Sequence, residues 1–351
     1  MDANRGDCIL IFRLGSIGDT VVALPCFHAI GRRFSGYRRI LLTNSVSSLR
    51  ASSAESVLGE TGLIDEVRYY RVGDFSLKSA LALMRELRAL RPAYTIYLAE
   101  RKSATSICRD VMFFKAAGLS RVTCVPWSRR LRECRIDPRT GELEYEAQRL
   151  ARGLRRIAPV TFGPADWDLR LSDIELAKSA RVLEACGGSQ ILLAIAPGTK
   201  IAAKAWGADN WRALLEMLAP RLSEAALIIV GAADERALGE EVARSWRGPV
   251  LNVCGTATPR ETAAIFRRCK LLICHDSGPM HLAASQRTPC VALFGNLNRP
   301  RQWYPFGAGH RVIHEPRGVR EIPVERVALE ILAAIQESAP LALDGVNRAA
   351  P

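Results

Sequence analysis

The chain has 351 residues, more than the ~250–300 that one hydrophobic core usually serves, so two domains are expected. With 48% apolar and 24% charged residues it reads as a folded globular protein, which excludes a largely disordered chain. The net charge of +13 sits almost wholly in residues 1–165, with 27 basic against 16 acidic residues, while the remainder has 22 against 20.

No run reaches the ~18 apolar residues that span a bilayer. Asp2 and Asp7 precede the first apolar stretch, the wrong charge for a secretory signal, so the expected compartment is the cytoplasm. The ten cysteines form no C-x-x-C pair and no Cys/His cluster at zinc spacing, and read as buried thiols in a reducing compartment. No metal site and no cofactor is expected.

In chain order, Cys8–Leu14, Ile40–Thr43, Val67–Tyr70, Tyr94–Leu98 and Val122–Val125 read as strands. Leu77–Leu90 has one apolar stripe and reads as a helix. Residues 127–143 are basic and irregular, a loop by composition, and 144–157 reads as a helix. Residues 158–168, with Pro159, Gly163 and Pro164, have linker composition. Beyond them, apolar runs at 191–195, 227–230, 250–253, 271–274 and 290–294 alternate with helical patterns at 209–218, 234–246, 259–269 and 278–285. Short apolar strands alternating with amphipathic helices predict parallel sheets covered on both faces. The expected organisation is a first domain over 1–165, a second over 166–335 and a frayed tail over 336–351. In such sheets ligands sit beyond the carboxyl ends of the strands, so the loops after strands are where chemistry belongs.

Four such loops stand out. The first, Arg13-Leu14-Gly15-Ser16-Ile17-Gly18-Asp19-Thr20, follows the first strand. Asp19 there is either a helix-capping carboxylate or a general base facing a cleft, and spacing alone does not separate the two. The loop lacks the G-x-G-x-x-G of a dinucleotide site and the Gly-Lys-Ser/Thr of a P-loop. The second is Ala196-Pro197-Gly198-Thr199-Lys200-Ile201-Ala202-Ala203-Lys204-Ala205-Trp206, where Thr199 and Lys204 can hold a pyrophosphate or be ordinary surface residues. The third is His275-Asp276-Ser277-Gly278-Pro279-Met280-His281-Leu282, opening a helix whose free N–H groups favour an anion. Asp276 would repel phosphate, so a sugar hydroxyl suits it better, and the plain alternative makes it or Ser277 a helix cap and His281 a packed residue. The fourth, Gly231-Ala232-Ala233-Asp234-Glu235, offers an acid for ribose hydroxyls or a helix-start carboxylate. In the first half the excess arginines, among them Arg129 and Arg130, suit phosphate oxygens. Nucleic acid, an anionic membrane surface or a phosphorylated acceptor would each fit them, as would a merely solvated basic face.

Three stretches, ILIFRLGSIGDTVVALP at 9–25, APGTKIAAKAW at 196–206 and HDSGPMHLAASQRTPCVALFG at 275–295, together resemble glycosyltransferase family 9, the lipopolysaccharide heptosyltransferases. Departures are Ala205 and Gly207 where members often have Arg and Pro, and His275 where Asn is common. The resemblance implies a GT-B fold, two Rossmann-like domains facing across a cleft. It implies an inverting, metal-independent transfer of heptose or a similar sugar from an ADP-sugar to a phosphorylated lipopolysaccharide core acceptor. Carried over by motif, Asp19 becomes the base. Thr199, Lys204, Gly231, Asp234, Asp276, Ser277, Gly278 and His281 become the donor site, and Arg13, Gly18, Arg129 and Arg130 become acceptor contacts. The expected partners are ADP-heptose and a phosphorylated glycolipid, with peripheral contact at the inner face of the inner membrane and no nucleic acid. The alternatives are a same-fold transferase using another nucleotide sugar, and a non-catalytic basic module that binds nucleic acid.

Overall fold

The computed structural model describes residues 8–45, 54–71, 76–100 and 103–337. The expected tail lies mostly outside them. The first half runs β1 (Cys8–Phe12), α1 (Ile17–Val22), α2 (Leu24–Arg33), β2 (Arg38–Ser45), α3 (Glu55–Leu58), β3 (Glu66–Arg71), α4 (Leu77–Leu90), β4 (Tyr94–Tyr97), α5 (Ala104–Ala116), β5 (Val122–Thr123), α6 (Arg129–Arg132) and α7 (Glu146–Leu154). The second half runs α8 (Asp173–Leu183), β6 (Ile191–Ala196), α9 (Ala208–Leu218), β7 (Ala225–Ile229), α10 (Arg236–Val242), β8 (Val250–Asn252), α11 (Pro259–Phe266), β9 (Leu271–His275), α12 (Gly278–Ser285), β10 (Cys290–Phe294), β11 (Arg311–His314) and α13 (Val324–Glu337).

The strands form two sheets, a five-stranded one in the order β3-β2-β1-β4-β5 and a six-stranded one in the order β11-β10-β9-β6-β7-β8. Every pairing is parallel. Burial on both faces explains the continuous apolar runs. Ile9 and Ile11 of β1 feed one core, while Cys8, Leu10 and Phe12 feed another on the opposite face. The Ile9/Ile11 core also contains Ala194, Ala196 and Ile228 of the second sheet, so the layer between the sheets is one continuous apolar body. In each sheet the strand order reverses at one place, between β1 and β4 and between β6 and β9. Such reversals leave a crevice at the carboxyl ends. The first loop singled out in the sequence leaves β1 at one crevice, and the second and third leave β6 and β9 at the other.

Several elements differ from expectation. The first loop leads into two helices, not one: α1 ends at Val22, and Pro25 sits in the first turn of α2, where its missing N–H costs nothing. The segment 127–143 contains α6 and an antiparallel bridge between Ile136 and Leu143 rather than open loop. The helix expected over 234–246 is confined to α10, with a tight 3-10 turn on each side. The sequence pattern does not announce α3, α5, α8, α13 and β11.

Two ties hold the halves together. Arg260 of α11 is buried and uses all its donors. It pairs with Glu175 of α8 through two bonds of 2.5 and 2.9 Å and donates to the carbonyls of Val57, Leu169 and Arg170. On the other side Phe306 packs among Tyr145, Phe162 and Trp167, its ring centre 4.8 Å from that of Trp167. The residues about 165/166 touch both halves: Asp166 accepts from Arg32 of α2 at 2.9 Å, while Phe162 and Trp167 hold Phe306. A boundary there is a proposed one.

Candidate active site

The two crevices share a cleft of about 530 Å³, within the ~300–1,000 Å³ of small-ligand sites. Ser16 and Ile17 line it from the first half; the loops after β6, β7, β8 and β9 line it from the second. The helix starts of α1 and α12 touch across it. A Cβ on Gly18 would lie 3.0 Å from Cδ2 of His281, and one on Gly278 would lie 3.1 Å from Cβ of Ile17. Only because both positions are glycine do the two turns approach this closely.

Asp19 stands three residues into the capping turn of α1. Its Oδ2 accepts from the Ser16 N–H at 2.6 Å and from the Ser16 hydroxyl at 2.8 Å. Its backbone carbonyl accepts from Arg13 at 2.6 Å. Arg13 is only 1% exposed and also donates to the Leu98 carbonyl at 2.9 Å. Buried and bonded to backbone, Arg13 braces the Asp19 loop instead of meeting an acceptor. Gly18 likewise belongs to the contact with His281, not to an acceptor surface. Arg129 and Arg130 lie exposed on α6, outside the cleft lining, and Arg129 is paired with Glu133 at 2.8 Å. These are the places the structure gives to the four expected acceptor contacts.

The second half gathers most of its expected residues. Thr199, Lys204, Gly231, Asp276, Ser277 and Gly278 all line the cleft. Lys204 forms an ion pair with Asp276, which is 9% exposed and also accepts from the amide of Asn298. Behind them Trp206 donates its N–H to Nε2 of His275 at 3.0 Å and its indole N–H to the Ile322 carbonyl at 3.0 Å. This fixes the Lys204 loop against the Asp276 loop, and it explains how a histidine serves at 275: its ring nitrogen is the acceptor. Burial pushes His275 down to about 4, so the ring is neutral and able to accept. Burial also pushes His281 down to about 4, against the pull of Asp276 and Asp19. His281 does not line the cleft; it packs behind Gly278 against Gly18, with Trp303 edge-on at 6.3 Å.

Asp234 is exposed and does not line the cleft, whereas the next residue, Glu235, does. Glu235 accepts from the Ala232 N–H at 2.8 Å within a 3-10 turn that rotates it inward. Lys200, also missed, lines the cleft; burial lowers its pKa, opposed by Glu235 and Asp19. Ser16 carried a legible signal, the S-x-x-D of a capping turn. Asn298, far along the chain in a loop after β10, carried none. Among the described residues no cluster of His, Cys, Asp and Glu has the makings of a metal site.

Two Rossmann-like domains with facing switch points, joined by a ligand-sized cleft, define a GT-B architecture. The solved structure of a family 9 glycosyltransferase from Veillonella parvula superposes with a TM-score of 0.72 at 17% identity, covering 95% of this chain and 98% of that one. The ADP-heptose lipopolysaccharide heptosyltransferase II of Escherichia coli gives 0.68 at 19% identity, covering 95% and 100%. At these identities the likeness speaks for the fold. The sequence profile of glycosyltransferase family 9 (heptosyltransferase) matches residues 158–320, just under half of the chain, and that part is similar to the family. Lipopolysaccharide heptosyltransferase 3 of Escherichia coli K12 is 28% identical over 180 residues, 47% of this chain and 52% of that protein. The aligned part thus spans about half the length of that relative.

Proposed function

We propose that the protein is an inverting glycosyltransferase that moves a heptose, or a similar sugar, from an ADP-sugar to a phosphorylated lipopolysaccharide core acceptor. The observation that carries the reading is the meeting of α1 and α12: it puts the Asp19 turn of one half against the Asp276–Gly278 turn of the other. The fold shared with the ADP-heptose lipopolysaccharide heptosyltransferase II of Escherichia coli supports the choice of donor and acceptor.

A sugar hydroxyl is a poor nucleophile near neutral pH, and a positioned carboxylate contributes ~10²–10⁴-fold as general base. Asp19 takes the acceptor's proton on the oxygen that Ser16 does not occupy. The hydroxyl then attacks the anomeric carbon from the face opposite the diphosphate, which inverts that centre. The leaving diphosphate gains negative charge, and Lys204, Thr199 and the N–H groups at the start of α12 stabilise it. This assignment needs no metal ion. Lys204 is paired with Asp276 before donor arrives, so donor binding redistributes that amine between carboxylate and phosphate, and Asp276 turns to a sugar hydroxyl with Asn298. Glu235, in the role expected of Asp234, accepts from the ribose hydroxyls.

The test is nucleotide release from a panel of nucleotide sugars, with a heptose-lacking core glycolipid as acceptor. ADP-heptose should give acceptor-dependent ADP release and a matching mass gain on the glycolipid. Release from a different nucleotide sugar alone would replace the donor assignment. No turnover with any donor, together with tight RNA binding that weakens steeply with salt, would favour the nucleic-acid module instead.

A further inference from the structure

The outer surface of the first half is built from α4 and α5, which lie side by side. Arg88 of α4 donates to the Ala116 carbonyl of α5 at 3.1 Å. Both helices bury one stripe against the first sheet, Leu83 and Leu87 from α4 and Ile107 and Phe114 from α5. Their other faces carry apolar side chains with no partner beneath them. Leu77 is 77% exposed, Leu81 44% and Met112 66%. Leu77, Leu81 and Arg88 fall on one flank of α4 by helical spacing, the flank from which Arg88 reaches α5. The leucines therefore stand over the seam between the helices.

Charge surrounds these side chains. Lys78, Arg85 and Arg88 lie on α4, Arg109 and Lys115 on α5. The acids on the two helices are few: Glu86 is paired with Arg68 at 3.1 Å, and Asp110 is buried, bonded to Tyr97 at 2.8 Å and paired with Arg109 at 3.1 Å, which leaves Lys78, Arg85 and Lys115 as the charges that carry the field. Lys78 and Arg85 make no ion pair among the described residues. In a parallel sheet the covering helices run against the strands, so Leu77 and Lys78 begin α4 at the carboxyl end of the sheet. That is the end from which the Asp19 loop leaves β1.

We infer that the α4–α5 face docks the protein on an anionic phospholipid bilayer, with Leu77, Leu81 and Met112 entering the interface and the basic side chains meeting lipid phosphates. Apolar side chains in a basic field are the two components of interfacial membrane binding. A second copy of this chain fits poorly, because an isologous pairing would set the same basic cluster against itself. With that face docked, Leu77 and Lys78 at the start of α4 bring the cleft end of the first sheet close to the bilayer edge of the face. The inference deepens the acceptor side of the proposed function, but vesicle binding is read without donor, acceptor or turnover, so either can fail alone.

The experiment is co-sedimentation of the full chain with vesicles of phosphatidylcholine alone and of phosphatidylcholine with about 30% phosphatidylglycerol, enough to give the surface a negative potential. Binding should require phosphatidylglycerol and weaken with salt. Lys78→Glu with Arg85→Glu should lower partitioning at least ~10-fold, since each basic group near such a surface is worth roughly fivefold. Leu81→Ser with Met112→Ser should also lower it, with the charge intact. All four side chains are exposed, and unchanged melting and unchanged ADP binding would confirm folded variants. Wild-type protein that ignores phosphatidylglycerol, or variants that sediment like wild type, would overturn the inference. So would a concentration-dependent dimer that the Leu81/Met112 variant dissolves, since the face would then be a self-association surface.

Discussion

Ser16 gives two hydrogen bonds to a single oxygen of Asp19, from its N–H at 2.6 Å and from its hydroxyl at 2.8 Å. The capping and catalytic readings of that carboxylate are therefore not rivals. Oδ2 closes the first turn of α1, while Oδ1 makes no hydrogen bond among the described residues and is left to take a proton. Asp19→Asn keeps an oxygen for the Ser16 N–H but cannot act as a base. It should change folding stability by less than ~1 kcal/mol and lower kcat ~10²–10⁴-fold, with ADP affinity unchanged. Chemical denaturation, single-turnover transfer and ADP titration read the three quantities. Near-normal turnover would remove Asp19 from the chemistry.

Gly15 makes that arrangement possible. Its φ is +131°, a region that side chains avoid, and a Cβ there would lie 2.4 Å from Cβ of Asp19. Gly15→Ala must therefore move the carboxylate or the turn. Backbone strain of this kind costs about 1–3 kcal/mol. The variant should lose most transfer while binding ADP normally, because the donor loops belong to the other half. Full activity in Gly15→Ala would show that the position of Asp19 tolerates displacement.

Lys204 and Asp276 form a partly enclosed ion pair, their side chains 19% and 9% exposed. Lys204→Met leaves the carboxylate with only the Asn298 amide, which should cost about 1–3 kcal/mol. ADP affinity should fall ~10–100-fold with the loss of a charge-assisted bond to phosphate. Adding Asp276→Asn should recover most of the stability and none of the affinity. A double variant that regains ADP binding would mean that Lys204 served only to neutralise Asp276. Melting curves and calorimetric titration of all three variants decide this.

Arg260 is the largest polar investment in the joint between the halves, with Glu175 and three backbone carbonyls depending on it. Arg260→Ala strands those groups and should destabilise the protein by about 3–5 kcal/mol, the range for breaking a buried ion pair. Arg260→Lys restores the charge but not the fork, and should recover less than half of that. Urea midpoints suffice to check both, and a loss below ~1 kcal/mol in Arg260→Ala would show that the joint is held elsewhere.

The legible and illegible parts of the molecule differ in kind. Parallel strands buried on both faces announce themselves as apolar runs, so β1 and β6 through β10 were visible. Turns with glycine, proline and an acid at strand ends point to loops that line the cleft. What a sequence does not show is rotation within a turn: Asp234 and Glu235 are neighbours, and only the 3-10 geometry decides which faces the cleft. It also does not show whether an arginine is spent internally. Arg13 is implied by the resemblance as an acceptor contact, yet its guanidinium donates to the Leu98 and Asp19 carbonyls. Asn298 joins Asp276 from 22 residues away, a meeting set by how β9 and β10 lie in the sheet.

Two buried histidines should give the protein an acid-side instability that can be assigned to residues. Burial holds both His275 and His281 at about 4, below the 6.5 of the free side chain. An unfolded chain takes up a proton at each as the pH falls through 6.5, while the folded chain does not. Stability is therefore whole above pH ~6.5 and declines below it, by up to ~1.4 kcal/mol per pH unit for each histidine. The decline from these groups ends near pH ~4, where the folded state protonates as well. Replacing one of them, as in His281→Gln, should remove about one proton from the slope of unfolding free energy against pH between 6.5 and 4. Urea titrations of wild type and variant at several pH values measure that slope. His281 is the better choice, because His275→Gln would also disturb the Trp206 N–H bond that holds the Lys204 loop. Parallel pH profiles in wild type and His281→Gln would show that His281 is protonated alike in both states, and that the neutral ring between Gly18 and Trp303 is not what the folded protein contains.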